Sequence, residues 1–129
     1  MKNKTGKQNR FRRLGDGPHN KNSVLVTGGR GFIGRAVVRL LQRSDYGVVS
    51  LDTAAAIGVA MYGGAAVREV VCDLSNADQL ERTLKAERVG AIIHLAAILP
   101  TAAQRDPPLA TRVNVEGSLY LLEMARPSL

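Results

Sequence analysis

Glycines at positions 28, 29, 31 and 34, inside the run VLVTGGRGFIG (residues 24–34), are the residues whose types and spacing point most directly to chemistry. Val24, Leu25 and Val26 lead straight into them, and an amphipathic helical pattern follows at once. This is a strand, a phosphate-holding turn and a helix N-terminus within eleven residues. Gly28 supplies a tight reversal, Gly31 lets backbone approach a pyrophosphate, and Gly34 lets the helix pack closely on the strand. The first helical N–H groups and the helix dipole then face the phosphates. A glycine-rich turn alone could be an ordinary loop. Here the preceding strand is apolar, the helix is immediate, and Asp52 closes the next strand eighteen residues after Gly34. That context favours a dinucleotide, with the carboxylate at the ribose.

Around this turn the alternation of elements can be followed along the chain. Ile33, Ala36, Val37, Leu40 and Leu41 recur at helical spacing, predicting one inward face, with Arg35, Arg39 and Arg43 between them. Residues 48–52 read as a second strand and 67–72 as a third, ending at Asp73-Leu74. The nearly uncharged stretch 53–66 carries no clear pattern and is expected as a variable loop with a short helical turn near the adenosine end of a cofactor. Ser75 or Asn76 can cap a helix whose apolar positions include Ala77, Leu80 and Leu84. Residues 91–95 form an apolar run typical of a buried parallel strand. A connection is expected over 98–108, where Pro100, Pro107 and Pro108 oppose a helix interior. Pro107 or Pro108 then starts a last helix carrying Leu109, Val113, Gly117, Tyr120 and Met124. The fold class is α/β, a doubly wound parallel sheet with helices on both faces and right-handed crossovers.

The 129 residues suit one domain, and no apolar run approaches the length of a transmembrane helix. The net charge of +7 is unevenly placed. Residues 1–22 hold seven basic side chains against Asp16, whereas the remainder holds eleven against ten acidic ones. The first 22 residues are therefore expected to be a basic disordered tail, with residues 23–129 as the cofactor-binding domain. The tail lacks the apolar core of a secretory signal and the amphipathic stripe of a transit peptide. A nucleic-acid arm is the weaker reading, because the charge is diffuse and aromatic residues make up only 4% of the chain, leaving few rings for bases to stack on. One cysteine, Cys72, excludes an internal disulfide and a cysteine-based zinc site and fits a reducing cytoplasm. It lies in a strand pattern, as does His94, and both read as core residues; no metal site is expected.

Together these residues resemble the extended short-chain dehydrogenase/reductase family, the NAD-dependent epimerases and dehydratases acting on sugar nucleotides and similar substrates. The matching pieces are TGGRGFIG at 27–34, Asp52, Asp73-Leu74, HLAA at 94–97 and NVEGSLYLLE at 114–123, in the family's order. The resemblance implies a Rossmann-type sheet, truncated after about four strands, with a pyrophosphate turn formed by Gly28, Gly31, Phe32, Ile33 and Gly34. It implies that Asp52 bonds the adenosine ribose and that Asp73 and Leu74 meet the adenine. Leu95, Ala96 and Ala97 would line the nicotinamide side, and Asn114 would fix backbone geometry nearby. The lesser reading of Asp73 is a cap for the helix beginning near Ser75, and Asn114 could be a helix-surface or packing residue. A carboxylate at position 52 accepts from the 2′-hydroxyl of NAD and repels the 2′-phosphate of NADP. Arg30 pulls the other way, but one mobile arginine is outweighed by short-range repulsion, so NAD is expected over NADP.

The sequence departs from the family in having no Tyr-x-x-x-Lys pair, which serves members as acid/base and ribose ligand. Tyr46, Tyr62 and Tyr120 are followed four positions later by Ser50, Ala66 and Met124. The expectation is the NAD-binding portion of an epimerase/dehydratase of nucleotide-sugar metabolism, as a fragment without its own catalysis. Its fourth strand would then be an exposed edge. The competing expectation is a sensor or scaffold module whose sheet is completed by a partner chain; a homodimer is a further possibility.

Overall fold

The computed structural model describes residues 23–44, 46–53, 62, 67–87 and 89–126. The expected basic tail at 1–22 and most of the expected loop at 53–66 lie outside them. Four strands, β1 (Ser23–Thr27), β2 (Gly47–Asp52), β3 (Val67–Val71) and β4 (Ala91–His94), form one parallel sheet in the order β3-β2-β1-β4. The apolar runs place them within one residue at either end. Residue alternation sends Val24, Val26 and Val48 to one face and Leu25, Val49 and Leu51 to the other. Both faces are covered, as buried parallel strands require.

The first face is covered by α1 (Phe32–Arg43), which packs on β1 and β2. Its buried positions are Gly34 and Val38, with Val37 and Leu41 partly buried against the same cluster. This corrects the expected inward face by one residue: Leu40 is 65% exposed, and Ile33 is also exposed. The rotation follows from Gly34, where an added Cβ would stand 2.0 Å from the Gly28 carbonyl oxygen. The closest approach of helix to turn fixes which residues face the sheet. Because the atom met is in the turn, Gly34 packs against Gly28 more intimately than against the strand itself.

The second face is covered by α2 (Ala77–Glu87) and by the last helical run. Asn76 is the cap of α2, its Oδ1 accepting from Gln79 N–H at 3.0 Å, and Leu80 is fully buried. The expected connection at 98–108 contains a short helix, α3 (Pro100–Arg105). Proline opposes only a helix interior, and Pro100 occupies the first turn, where its missing N–H costs nothing. Asp106 caps α4 (Pro107–Thr111) by accepting from Leu109 N–H at 3.0 Å. A π-helical turn (Arg112–Glu116) joins α4 to α5 (Gly117–Met124). The inward residues Val113, Gly117 and Leu121 are spaced by four, which drifts around a helix of 3.6 residues per turn. One wider turn takes up that drift.

The Gly34 contact leaves no room for a methyl group against a backbone carbonyl. Gly34→Ala should lower the unfolding free energy by about 2 kcal/mol or more, read as a lower urea midpoint at unchanged slope. Gly31→Ala should cost less, since its nearest neighbour would be the Gly28 oxygen at 3.2 Å.

Candidate functional site

The turn after β1 is held from two sides. Gly28 donates its N–H to the Leu51 carbonyl at 2.8 Å and has φ of +69°, in the left-handed region that favours glycine. A Cβ there would lie 2.9 Å from Ala96 N, so the turn presses against the residues that follow β4. Gly31 N–H closes back on Gly28 O at 2.9 Å, and the first full helical bond is Arg35 N–H to Gly31 O at 3.0 Å. The N–H groups of Phe32, Ile33 and Gly34 precede that bond. No side chain caps this end and no acid sits in the first helical turn, so the positive end of the dipole is uncompensated by the helix itself.

This helix end opens into a cleft of about 500 Å³ at the C-terminal ends of the strands. The structure brings all eleven sequence-predicted residues to its wall: Gly28, Gly31, Phe32, Ile33, Gly34, Asp52, Asp73, Leu74, Leu95, Ala96 and Ala97. Asp52 is pinned, with Oδ2 accepting from Arg30 N–H at 3.1 Å and Oδ1 from Thr53 N–H at 2.9 Å. Asp73 uses one oxygen, Oδ1, to accept from both the N–H and the hydroxyl of Ser75, at 2.8 and 2.7 Å. It organises the turn before α2 while the helix cap proper is Asn76. Cys72 also lines the cleft, buried, and burial pushes its thiol pKa up, which suits an inert filler. Phe32 stands 95% exposed, an apolar side chain at the cleft wall with little covering it.

A polar relay under the cleft was not foreseen in the sequence. Thr27 Oγ1 lies 2.6 Å from His94 Nδ1, and His94 Nε2 lies 2.9 Å from Ser118 Oγ. Ser118 donates its single hydroxyl proton to the Asn114 carbonyl at 2.7 Å, so its oxygen accepts from His94 Nε2–H. Burial lowers the His94 pKa, which leaves Nδ1 unprotonated to accept from the Thr27 hydroxyl. The Thr27 oxygen in turn accepts the N–H groups of Leu95 and Ala96, at 3.1 and 3.2 Å. Leu95 N–H is shared with the Thr27 carbonyl at 3.2 Å, and the backbone leaving β4 is fixed. Asn114, on the π-helical turn, clamps the same segment from the other end: Oδ1 accepts Ile98 N–H at 2.7 Å and Nδ2 donates to Ile98 O at 2.9 Å. The wider turn and the clamp coincide, so Asn114 acts on backbone geometry at the cleft.

Arg30 differs from its expectation as a mobile side chain. Its guanidinium is buried against Glu69, with Nε and one terminal nitrogen each 2.8 Å from Oε1. Tyr62, the one residue described between Thr53 and Val67, donates its hydroxyl to the Gly29 carbonyl. Among the described residues no His, Cys, Asp and Glu cluster could hold a metal ion, and no helix is long and apolar enough to cross a membrane.

A glycine turn at a parallel-sheet end, a helix N-terminus and a carboxylate after the second strand define a Rossmann-like α/β protein. The chain matches the NAD dependent epimerase/dehydratase family over residues 24–128, and it belongs to that family. It is 37% identical over 112 residues to D-erythronate dehydrogenase of Cupriavidus necator, covering 81% of this chain and 34% of that protein. It is equally 37% identical over 112 residues to UDP-glucose 4-epimerase of Erwinia amylovora, covering 81% and 33%. Among solved structures it resembles Thermus thermophilus UDP-glucose 4-epimerase in complex with NAD, with a TM-score of 0.67 and 35% identity, covering 78% of this chain and 32% of that one. The chain therefore spans about a third of the length of the relatives it matches.

The relay has a measurable consequence. Ser118→Ala strands His94 Nε2–H and should cost about 1–2 kcal/mol of stability in urea titration. Because the folded state disfavours charged His94 and the unfolded chain protonates near pH 6.5, stability should be full above about pH 6.5 and decline below it. The decline should be shallower in His94→Gln.

Proposed function

We propose that this chain is the NAD-binding portion of an epimerase/dehydratase-type oxidoreductase acting on a sugar nucleotide or similar substrate. The observation that carries the proposal is the convergence of the uncapped α1 N-terminus, the pinned Asp52 carboxylate and the small-residue end of β4 on one cleft. The residues suit the cofactor. An anion meets N–H groups at Phe32, Ile33 and Gly34 with no acidic side chain in that first helical turn. Asp52, already oriented by two backbone N–H groups, keeps lone pairs for ribose hydroxyls. Leu74 and Asp73 line the cleft and would meet the adenine, and the small side chains of Ala96 and Ala97 would admit a ring beside the strand end.

When bound, the nicotinamide supplies a hydride acceptor and donor. The chain's own part is to bind and orient. Thr27, His94, Ser118 and Asn114 hold the backbone of residues 95–98, against which the nicotinamide side would rest. No Tyr-x-x-x-Lys pair is present in the sequence, and no residue of this chain is assigned the acid/base step of hydride transfer. Residues 1–22 carry most of the chain's excess of basic side chains, and a reducing compartment such as the cytoplasm suits the buried thiol.

A second reading, a non-catalytic NAD-binding module completed by a partner chain or by a second copy, is favoured by β4, which has only β1 beside it among the described residues. Translation of the nucleotides downstream of this reading frame discriminates between the two. Ser and Tyr-x-x-x-Lys motifs there in any frame support the enzyme portion, and their absence supports the module.

Calorimetry tests the cofactor assignment directly. The full chain should bind NAD with micromolar to sub-millimolar Kd and NADP more weakly, and Asp52→Ala should weaken NAD by about tenfold or more. Absence of binding to either dinucleotide would overturn the assignment.

A further inference from the structure

Arg30 is the cation nearest in sequence to the phosphate-holding turn, and its main chain and side chain go to different carboxylates. Its N–H bonds Asp52 Oδ2 at 3.1 Å, placing its backbone beside the carboxylate assigned to the ribose. Its guanidinium goes to Glu69 on β3, two nitrogens sharing Oε1 at 2.8 Å, with the side chains 6% and 13% exposed. Register explains how they meet. Glu69 pairs with Ser50 on β2, and paired residues of parallel strands present side chains to the same face. The turn lies over Ser50 so closely that a Cβ on Gly29 would stand 2.1 Å from Ser50 Oγ. Arg30, leaving that turn, is therefore within reach of Glu69. Among the described residues lining the cleft, neither Arg30 nor Glu69 appears. The next cation, Arg35, directs Nε to the Arg30 carbonyl at 2.9 Å.

We propose that Glu69 is a specificity-determining residue for the cofactor: by holding Arg30 it withholds the turn's own cation from a 2′-phosphate, and so enforces NAD over NADP together with Asp52. The inference rests on the assignment of the cleft to a dinucleotide. Asp52 discriminates by repelling the phosphate, whereas Glu69 discriminates by neutralising the group that would attract it. Specificity built from a repulsive element and a withheld attractive one is harder to breach than either alone. Without Glu69, the guanidinium, whose backbone is already at Asp52, loses the carboxylate that two of its nitrogens share, and a 2′-phosphate can compete for those donors.

Calorimetry of the full chain with NAD and NADP, on the parent, Glu69→Gln, Glu69→Asp and the double variant Arg30→Met/Glu69→Gln, tests this. Glu69→Gln should raise NADP affinity about tenfold or more while NAD stays within about twofold. The double variant should return NADP to the parent's affinity, because the gain depends on Arg30. An unchanged NADP affinity in folded Glu69→Gln that still binds NAD would overturn the proposal. So would a gain that persists in the double variant, which would mean Glu69 repels the phosphate directly. If circular dichroism finds Glu69→Gln unfolded, Glu69→Asp should give a smaller gain in the same direction; unfolding of both would make the pair structural and refute its selective role. Failure of the parent to bind NAD would instead sink the cofactor assignment and this inference with it, whereas NAD binding with unaltered selectivity sinks this inference alone.

Discussion

The contact on which the rest depends is the seating of the Gly28 backbone between three elements. Its N–H reaches the Leu51 carbonyl on β2, its Cα faces Ala96 N beyond β4, and its carbonyl oxygen lies where a Cβ of Gly34 on α1 would be. No side chain can be inserted into two of these contacts without moving backbone. The cleft exists because the turn is thin. A bulkier turn would push α1 off the sheet and separate the helix N-terminus from Asp52 and from the end of β4. Backbone conformation at one residue, φ of +69°, thus sets the spacing of groups contributed by residues more than sixty positions apart.

Around that seat the polar groups are arranged to hold main chain in place. Thr27 is fully buried, and its hydroxyl has a definite direction because His94 carries its proton on the nitrogen facing Ser118. Ser118 and Asn114 belong to one stretch of helix, and that stretch changes pitch where Asn114 clamps Ile98. The clamp needs the side chain aimed at an extended segment and the neighbouring apolar residues aimed at the core. A regular helix cannot sustain both with inward residues every four positions, and the π-helical turn reconciles them. His94, half-buried at the end of β4, is therefore structural in its contacts and yet acts on the wall of the cleft through Thr27.

Much of this was legible in the sequence because it is written in local patterns. The strands are short apolar runs of 4–6 residues flanked by breakers, and the glycines fall at fixed intervals after the first of them. The cleft residues follow, since each sits at the C-terminal end of a strand or in the turn itself. What was missed is non-local. Arg30 and Glu69 are 39 residues apart, and only the register of β2 with β3 shows that they meet. The inward face of α1 lies one residue from the one its apolar spacing predicts: Ile33 and Leu40 are apolar at helical spacing, yet the contact at Gly34 turns the helix away from them. Pro100 suppressed the expectation of α3, although proline opposes a helix interior and favours a first turn. The π-helical turn left a signal in the repeated spacing of four, which reads as ordinary amphipathicity when no three-dimensional partner for Asn114 is known.

The charge arrangement has a logic of its own. The cleft's attraction for an anion comes from backbone dipoles, equivalent to about half a unit charge at the α1 N-terminus. The full positive charge beside it is buried in a pair with Glu69. Burying such a pair costs desolvation that its mutual attraction roughly repays, so stability alone is a poor reason to have it. Its proposed effect is on the cleft: a mobile guanidinium would draw a phosphate to Asp52's side of the turn, competing with the helix end. With Arg30 held by Glu69, the uncapped helix end and the carboxylate of Asp52 stand as groups of opposite sign at the cleft wall. Under the proposed assignment, a ligand carrying an anionic centre and neutral hydroxyls would be oriented between these two groups, whose separation is set by the backbone of the turn.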